Sequence, residues 1–456
     1  MDRTLQRSER REHLRSRRSR PRLQRLVALG AAGSFVWSFL LATPAIALTH
    51  PAPPDRSGVR LLTPEQMTRI VGKQGIGAAP HQVSVANSPG DSYPWEGSVG
   101  GTNTGNGNKQ TSIPIVGWTQ KGGLPVSLSL THNSQSNRNA ELGNKWTHSY
   151  DIYLMGSGTG VTPGPGPTNF AAQSGTAPNT GTAFTSGSNL VAHWGDDLAY
   201  QFTNSGTDTF AAPTGIHDTL IKNVDGTFTI TETSQTKYHF NASLYCDTIT
   251  DPSGNVLSIN RNAAGYVSNV TDATNRRITF GYNAANQITS VTDPLSRVWT
   301  IAYNASGDLT TVSLPVLNAH TYSYTVGYDT THDVTSVTTP GGRSGTFSYN
   351  TDGSLAWEQD GAGNRSTYTY ASGLTTITDA NGNATTHTYT SGLLTKVTDA
   401  IGKYETYGYD TANNKTSVQD KRGFSWATTF DGNGNVLTKK DPYLNVTTTT
   451  YNRPLA

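Results

Sequence analysis

Residues 278–283 read Ile278-Thr279-Phe280-Gly281-Tyr282-Asn283, and residues 288–293 read Ile288-Thr289-Ser290-Val291-Thr292-Asp293. Much the same pair of segments returns throughout the C-terminal half of the chain. The aromatic position is occupied by Tyr282, Tyr303, Tyr328, Tyr349, Tyr370, Tyr389, Tyr409, Phe430 and Tyr451, which lie 19 to 25 residues apart. A period this short and this often repeated indicates a stacked array, in which each unit buries its apolar face against its neighbours.

Each repeat unit has the alternation typical of β-strands. Ile278, Phe280 and Tyr282 fall on one face of an extended chain because side chains alternate with period two. Gly, Asn and Asp residues follow, and they tolerate the positive φ values of hairpin turns. Ile288 and Val291 are three residues apart, which predicts a β-bulge or burial of both faces. The sequence therefore predicts an all-β fold, a repetitive array of antiparallel β-hairpins.

The turns between units carry a recurrent aspartate. It is found at Asp251, Asp272, Asp293, Asp360, Asp379, Asp399, Asp420 and Asp441, with Thr339 in the slot before Asp360. Runs that begin at Asp360, Asp379 and Asp431 have the alternating oxygen donors of a calcium loop, but none has the bidentate Glu that closes an EF-hand. We interpret these residues as turn formers, with calcium binding as the alternative, and predict no cofactor.

The pattern Tyr-x-x-x-Gly-x-Leu-x-x-Val at residues 303–312 resembles the YD repeat of the Rhs family. The resemblance covers residues 240–456, and stretches at 123–134, 142–146, 210–215 and 238–240 resemble the segment that leads into such repeats. It implies a spiral β shell, which in longer members of the family encloses a C-terminal toxin and in the related teneurins serves adhesion. We expect an incomplete shell, the N-terminal part of a toxin-delivery protein, without the motif for self-cleavage.

Four regions are predicted along the chain. Residues 1–47 are interpreted as a signal peptide with a helix, because an Arg-rich start and an uncharged run precede Ala45-Ile46-Ala47. An uncleaved membrane anchor is the alternative, since residues 26–47 are long enough to span a bilayer. Residues 48–110 are predicted to be a Pro/Gly-rich linker with a short helix near 63–72. Residues 111–239 form an N-terminal β region, and residues 240–456 form the repeats.

Charge and cysteine content narrow the possible partners. The formal net charge is +2, but ten Arg lie in residues 1–25, and from residue 48 onward the chain has 24 basic and 29 acidic residues. Nucleic-acid binding needs a positive surface, so we predict no such partner. The single Cys246 excludes an intramolecular disulfide, and we interpret it as a half-buried strand residue instead of a reactive thiol.

The sequence shows no recognisable motif of catalytic residues. The eleven His residues lack the His-Glu-x-x-His spacing, and no Gly-x-Ser-x-Gly motif occurs. We therefore predict a non-enzymatic scaffold that is secreted or located at the cell surface or cell wall, with a toxin payload as partner in a longer form.

Two other hypotheses stay open at this point. A cell-envelope module could bind glycans or a neighbouring cell through stacking on Trp299, Trp357 and Trp426, although aromatic residues at the repeat period also pair across strands. An enzyme is the third hypothesis.

Overall fold

The computed structural model describes residues 98–99, 101–119, 123–157, 184, 186–206, 208–317 and 319–451. These residues form strands, turns and bends, and none of them belongs to a helix. Accordingly, this part of the chain contains no helix with the length and hydropathy needed to cross a bilayer. The predicted signal peptide of residues 1–47 with its helix, and the short helix predicted near residues 63–72, lie outside the described residues.

The first strands form small sheets. They are β1 Ser98–Val99, β2 Thr102–Asn103, β3 Gln110–Trp118, β4 Val126–Asn133, β5 Asn139–Ala140, β6 Gly143–Asn144, β7 Trp146–His148, β8 Tyr153–Ser157, β9 Asn189–His193, β10 Ala199–Asn204 and β11 Phe210–Ala211. Strands β3, β4 and β7 form a three-stranded sheet, and β8 to β11 form a four-stranded sheet in consecutive order. The pairs β1–β2 and β5–β6 are short hairpins.

The remaining strands form one 23-stranded antiparallel sheet, in which each strand pairs with its neighbours in sequence. They are β12 Thr219–Lys222, β13 Phe228–Thr231, β14 Lys237–Phe240, β15 Cys246–Thr250, β16 Val256–Arg261, β17 Val267–Thr271, β18 Arg277–Tyr282, β19 Ile288–Thr292, β20 Val298–Tyr303, β21 Leu309–Ser313, β22 Ser323–Tyr328, β23 Val334–Thr338, β24 Ser344–Tyr349, β25 Leu355–Asp360, β26 Arg365–Ala371, β27 Leu374–Thr378, β28 Ala384–Thr390, β29 Leu393–Thr398, β30 Tyr404–Tyr409, β31 Lys415–Gln419, β32 Ser425–Phe430, β33 Val436–Lys440 and β34 Val446–Thr448. The predicted all-β hairpin array is confirmed.

A β-bulge recurs along the array and explains the three-residue spacing. Between β18 and β19, Gly281 lies opposite Ser290 while Tyr282 lies opposite Ile288, so that Thr289 is the extra residue. Ile288 and Val291 are consequently both fully buried. The same register shift occurs beside Tyr303, Tyr328, Tyr349, Tyr409 and Phe430. The predicted bulge is therefore confirmed.

The repeat tyrosine links each hairpin to the preceding bulge. Tyr303 Oη donates a hydrogen bond to Ile288 O at 2.7 Å, and Tyr349 Oη donates to Val334 O at 2.8 Å. Equivalent bonds are donated by Tyr282, Tyr328, Tyr370 and Tyr409. Each acceptor is a backbone carbonyl at the start of the second strand of the preceding hairpin, beside its bulge. The tyrosine series therefore serves the packing of the array, at about 1 kcal/mol for each net hydrogen bond.

Residues 101–119 and 123–157, named here the docked segment, pack against one face of the long sheet. We call this side, which carries Ile288 and Val291, the buried face. Strand β4 is buried along its whole length. Trp118 and Trp146 of the docked segment are fully buried and belong to the same hydrophobic core as Ile288.

Residues 101–110 differ from the linker predicted for residues 48–110. Thr104, Asn108 and Lys109 are at most 2% exposed. Asn108 Nδ2 donates to Asn133 Oδ1 at 2.8 Å, so its polar side chain has a fixed partner within the fold. Small polar residues can thus be buried when each one is hydrogen-bonded, and composition alone does not distinguish this from a linker.

Candidate functional site

Three backbone hydrogen bonds join the array to the docked segment, and they follow in reverse chain order. They are Cys246 N to Ile152 O (3.1 Å), Ile288 N to Glu141 O (2.8 Å) and Leu355 N to Gly107 O (2.9 Å). Each donor lies at a β-bulge, where the strand ladder is locally disrupted. Carbonyl groups of the docked segment therefore satisfy N–H groups along the buried face.

The β5–β6 hairpin fits closely against two turns of the array. Asn144 Nδ2 donates to Asp308 Oδ1 at 2.8 Å, and Lys145 Nζ lies 2.8 Å from Asp333 Oδ1. Gly143 has φ 79°, and a Cβ atom added there would lie 1.9 Å from the backbone oxygen of Gly307. Only glycine therefore allows this approach of backbone to backbone.

A buried ion pair connects the start of the docked segment to β25. Lys109 Nζ lies 2.7 Å from Glu358 Oε2, and both side chains are at most 5% exposed. Tyr368 Oη donates to the other carboxylate oxygen of Glu358 at 2.6 Å. Both carboxylate oxygens thus have partners, which is the condition under which a buried charge is tolerated.

The docked segment also contacts β28 through Thr104. Its hydroxyl lies 2.8 Å from His387 Nδ1 and 2.6 Å from Tyr389 Oη. Burial lowers the pKa of His387 to about 4, so its imidazole is neutral at pH 7.

Four ionisable side chains of the docked segment form a buried cluster, which we call the charged cluster. Its members are Arg138, Glu141, His148 and Asp151. Arg138 pairs closely with Asp151, and its Nη2 lies 3.5 Å from Glu141 Oε2. His148 Nε2 lies 3.2 Å from Glu141 Oε1. Burial opposes ionisation of Glu141, but His148 and Arg138 hold the pKa of this carboxyl below its usual value.

A histidine beside a glutamate is also an arrangement suited to general acid–base catalysis. In the charged cluster, however, no residue is more than 8% exposed. The ring of Phe280, a residue of the array, packs at 5.2 Å from the ring of His148. The geometry therefore suits an internal cross-link, whose rupture leaves an unpaired buried charge at a cost of about 3–5 kcal/mol.

The turn carboxylates that resembled calcium ligands are occupied by protein donors. Asp360 Oδ1 accepts the N–H groups of Ala362 and Asn364, both at 2.9 Å, and its Oδ2 accepts Asn364 Nδ2 at 2.8 Å. The same three bonds are made by Asp251, Asp379, Asp431 and Asp441. The Asn364 amide and these N–H groups hold the pKa of Asp360 below its usual value. Among the described residues, no group of acidic, His and Cys side chains is arranged to hold a metal ion.

The three candidate stacking tryptophans occupy different environments. Trp299 lies on the buried face and is only 7% exposed, and the guanidinium of Arg297 lies over its ring at 5.7 Å, so this ring is not open to a sugar. Trp357 is half-buried, and the guanidinium of Arg365 lies over its ring at 4.0 Å. Trp426 is 39% exposed and is the most accessible of the three. The structure does not bring these rings together, because they belong to different hairpins.

Family models match both the long sheet and the docked segment. Residues 251–298, 282–316 and 390–425 match the family described as RHS Repeat, and all three matches fall on hairpins of the array. The chain is an Rhs/YD-repeat protein. Residues 103–162 of this Rhs-repeat protein match a family described as a domain of unknown function, DUF6531, which coincides with the docked segment. No curated protein matches the chain.

Solved structures similar to the Rhs-repeat chain include TcdB2-TccC3 without its hypervariable C-terminal region, at 12% identity and a TM-score of 0.35 over 72% of this chain and 19% of that one. Another is the Photorhabdus luminescens Tc holotoxin pore with a TccC3 mutation, at 10% identity and a TM-score of 0.31 over 62% and 20%. The chain thus spans about a fifth of the length of these structures.

Sequence reasoning missed the charged cluster. Its four members lie within 14 residues of a chain in which only 14% of residues are charged. That local concentration of charge was the available signal. Cys246 was expected to be half-buried, but it is fully buried, and burial raises the pKa of its thiol.

Proposed function

We propose that this Rhs-repeat chain is a secreted or cell-surface β scaffold that forms the N-terminal part of a toxin-delivery shell and has no catalytic activity of its own. The observation that carries the proposal is the use of the buried face. Over hairpins β15 to β28, this face binds the docked segment through backbone hydrogen bonds, the Lys109–Glu358 pair and an apolar core. Because this face is covered by another segment of the same chain, it supports a structural role for the array.

The placement of the ionisable groups supports the non-enzymatic part of the proposal. The charged cluster is enclosed by the fold, and the turn carboxylates accept hydrogen bonds from their own turns. Catalytic groups need access to a substrate, whereas groups that only fix the fold do not.

Secretion is tested by expressing the full chain in a bacterial host and fractionating the culture. The expected result is an exported protein that begins at Leu48, because residues 1–47 have the order of a signal peptide. A Leu29→Arg variant, which interrupts the uncharged run, is the control and is expected to stay in the cell. Recovery of the unmodified chain with residues 1–47 in the cytoplasm would refute secretion.

The scaffold proposal competes with glycan binding, for which Trp426 is the most accessible candidate. Co-sedimentation of the chain with insoluble cell-wall polysaccharide separates the two functions. The scaffold proposal expects the same small bound fraction for the unmodified chain and for Trp426→Ala. Retention that is lost in Trp426→Ala but kept in Trp357→Ala would favour the glycan-binding module.

The delivery role is tested by sequencing the coding DNA beyond codon 456. Further Rhs repeats followed by an unrelated C-terminal domain are the expected result. A stop codon directly after codon 456 would refute the delivery role and leave the scaffold itself untouched.

A further inference from the structure

Large apolar side chains are exposed on three consecutive turns of the array. Each turn follows the second strand of a hairpin, so the three lie along one edge of the sheet: residues 399–403, 420–424 and 441–445. Tyr443 is 78% exposed, Ile401 73%, Leu444 69% and Phe424 39%. The equivalent turn at residues 379–383 reads Asp-Ala-Asn-Gly-Asn. The turn itself therefore does not require a large apolar residue.

Side-chain contacts join these three turns into one continuous surface. Lys421 Nζ lies 2.9 Å from Asp399 Oδ2, which connects the second turn to the first. The ring of Phe424 lies 6.4 Å from the ring of Tyr443, which connects the second turn to the third. Neighbouring turns on one edge are two strands apart, so the surface is ~20 Å long. We call it the edge patch, with these members: Ile401, Phe424, Tyr443, Leu444, Lys403, Arg422, Lys439 and Lys440.

Leu444 occupies a backbone position that suits glycine. Its φ is 68°, in the left-handed region where a residue with a Cβ atom is strained. The earlier turns on this edge have small residues at this position, all with positive φ: Gly254, Asn275, Ser296, Gly342, Gly363, Gly382, Gly402 and Gly423. Leu444 gains little burial in return, because most of its side chain is exposed. A large apolar residue that neither favours the turn nor packs in the core indicates a role outside the fold.

The carboxylates of these turns have partners, whereas several of the nearby lysines do not. Asp399 pairs with Lys421, and Asp420 Oδ2 lies 3.0 Å from Arg422 Nη2. Asp441 accepts three hydrogen bonds within its own turn. Three exposed lysines form no ion pair within the described part of the chain: Lys403, Lys439 and Lys440. The edge patch therefore combines exposed apolar groups with a positive charge.

We propose that the edge patch docks on the surface of an anionic lipid bilayer. Ile401, Tyr443 and Leu444 enter the headgroup region, and the exposed lysines contact the anionic headgroups. Tyrosine and aliphatic side chains beside lysines are typical of surfaces that bind at the membrane interface. The charge of the lysines is complementary to that of the lipid. A row of turns can enter the headgroup layer without breaking the strand ladder behind it. The scaffold proposed above thus acquires a membrane contact.

The test places a polarity-sensitive fluorophore on the edge patch of the full chain. Ile401→Cys provides an exposed thiol for a maleimide dye, while the native Cys246 is fully buried. Vesicles of phosphatidylcholine with phosphatidylserine should shift the emission of this dye to shorter wavelength, and vesicles of phosphatidylcholine alone should not. Ser253→Cys is the matched control, because Ser253 is exposed at the same position of an earlier turn on this edge. Its dye should show no shift with either vesicle.

Two further variants, made in the Ile401→Cys chain, separate charge from apolar contact. Lys439→Gln combined with Lys440→Gln should raise the lipid concentration at half-maximal shift ~30-fold, because each lysine is attracted to the anionic surface, and the difference should shrink at high salt. Leu444→Gly should raise this concentration about tenfold through the loss of apolar contact. Because glycine suits the φ of residue 444, the urea midpoint of Leu444→Gly should not fall. Weaker binding without weaker folding distinguishes a docking residue from a structural one.

No shift at residue 401 with phosphatidylserine vesicles would overturn the proposal. An equal shift at residue 253 would overturn it in favour of adsorption through another part of the chain. A shift that grows with protein concentration in the absence of vesicles would overturn it in favour of a second copy of the chain on the edge patch. A shift of equal size with soluble polyglutamate would overturn it in favour of an acidic peptide. A shift that needs phosphatidylserine vesicles and is weakened by Leu444→Gly supports the bilayer as the partner.

Discussion

Gly143→Ala is the substitution that should most clearly weaken the contact between the docked segment and the array. Gly143 has φ 79°, so the left-handed conformation costs any other residue at this position about 1–2 kcal/mol of conformational free energy. The added Cβ would also lie 1.9 Å from Gly307 O, a backbone atom that cannot rotate away. The β5–β6 hairpin must therefore move off the turn at residues 304–308.

This movement removes specific interactions, from which the magnitude follows. Asn144 Nδ2 donates to Asp308 Oδ1 at 2.8 Å and to Ser306 O at 3.0 Å. A hydrogen bond to a charged group contributes about 1.5–3 kcal/mol and a neutral one about 1 kcal/mol. With the left-handed conformation included, Gly143→Ala should lower the free energy of unfolding by ~3.5–6 kcal/mol.

Gly382→Ala is the matched control. Gly382 has φ 81°, but a Cβ atom added there meets no atom within 4 Å. Its cost is therefore the conformational part alone, about 1–2 kcal/mol. Urea unfolding followed by tryptophan fluorescence measures both variants, since Trp118 and Trp146 lie in the docked segment. Equal destabilisation by the two substitutions would refute the described fit of the hairpin against the turn.

Four further outcomes are expected. Tyr303→Phe should cost about 1 kcal/mol, measured by urea unfolding, because it removes the hydrogen bond to Ile288 O. Arg138→Met should cost about 3–5 kcal/mol in the same assay, since Asp151 and Glu141 then lack their cation. His387→Gln should change the pH dependence: burial lowers the pKa of His387 to about 4, so the unfolded state binds more protons below pH ~6.5. The stability that His387 contributes is present above pH ~6.5, and it falls by at most ~1.4 kcal/mol per pH unit as the pH is lowered to 4. If the free energy of unfolding of the unmodified chain had the same pH slope as that of the Gln variant, this expectation would be contradicted. Millimolar calcium should leave the melting temperature unchanged, because Asp379 already accepts three hydrogen bonds within its turn, and a rise would revive the calcium alternative.

The array could be predicted from the sequence because its determinants are local. Strand alternation, turn residues and the spacing of Ile288 and Val291 all lie within one hairpin, and each copy repeats the same information. The bulge followed from that spacing for the same reason. Local patterns and the final packing agree here, as expected for repeat proteins.

The docked segment could not be predicted because its partners are distant in sequence. Lys109 and Glu358 are separated by 249 residues, and no pattern around either residue indicates the pairing. Polar composition made residues 101–110 resemble a linker, although Asn108 is buried and bonded to Asn133. The burial of Trp299 was not predictable for a related reason: an aromatic residue in a strand does not reveal whether its side of the sheet is covered by another segment.

Hydrogen exchange followed by mass spectrometry tests most directly that residues 101–157 are an integral layer on the array. The structure predicts that amides of β4, Val126–Asn133, exchange as slowly as those of the central array strands β18 to β21, because β4 is buried along its length. It also predicts faster exchange at β34, where all three residues are exposed. Exchange of β4 at the rate of the array turns would contradict the account.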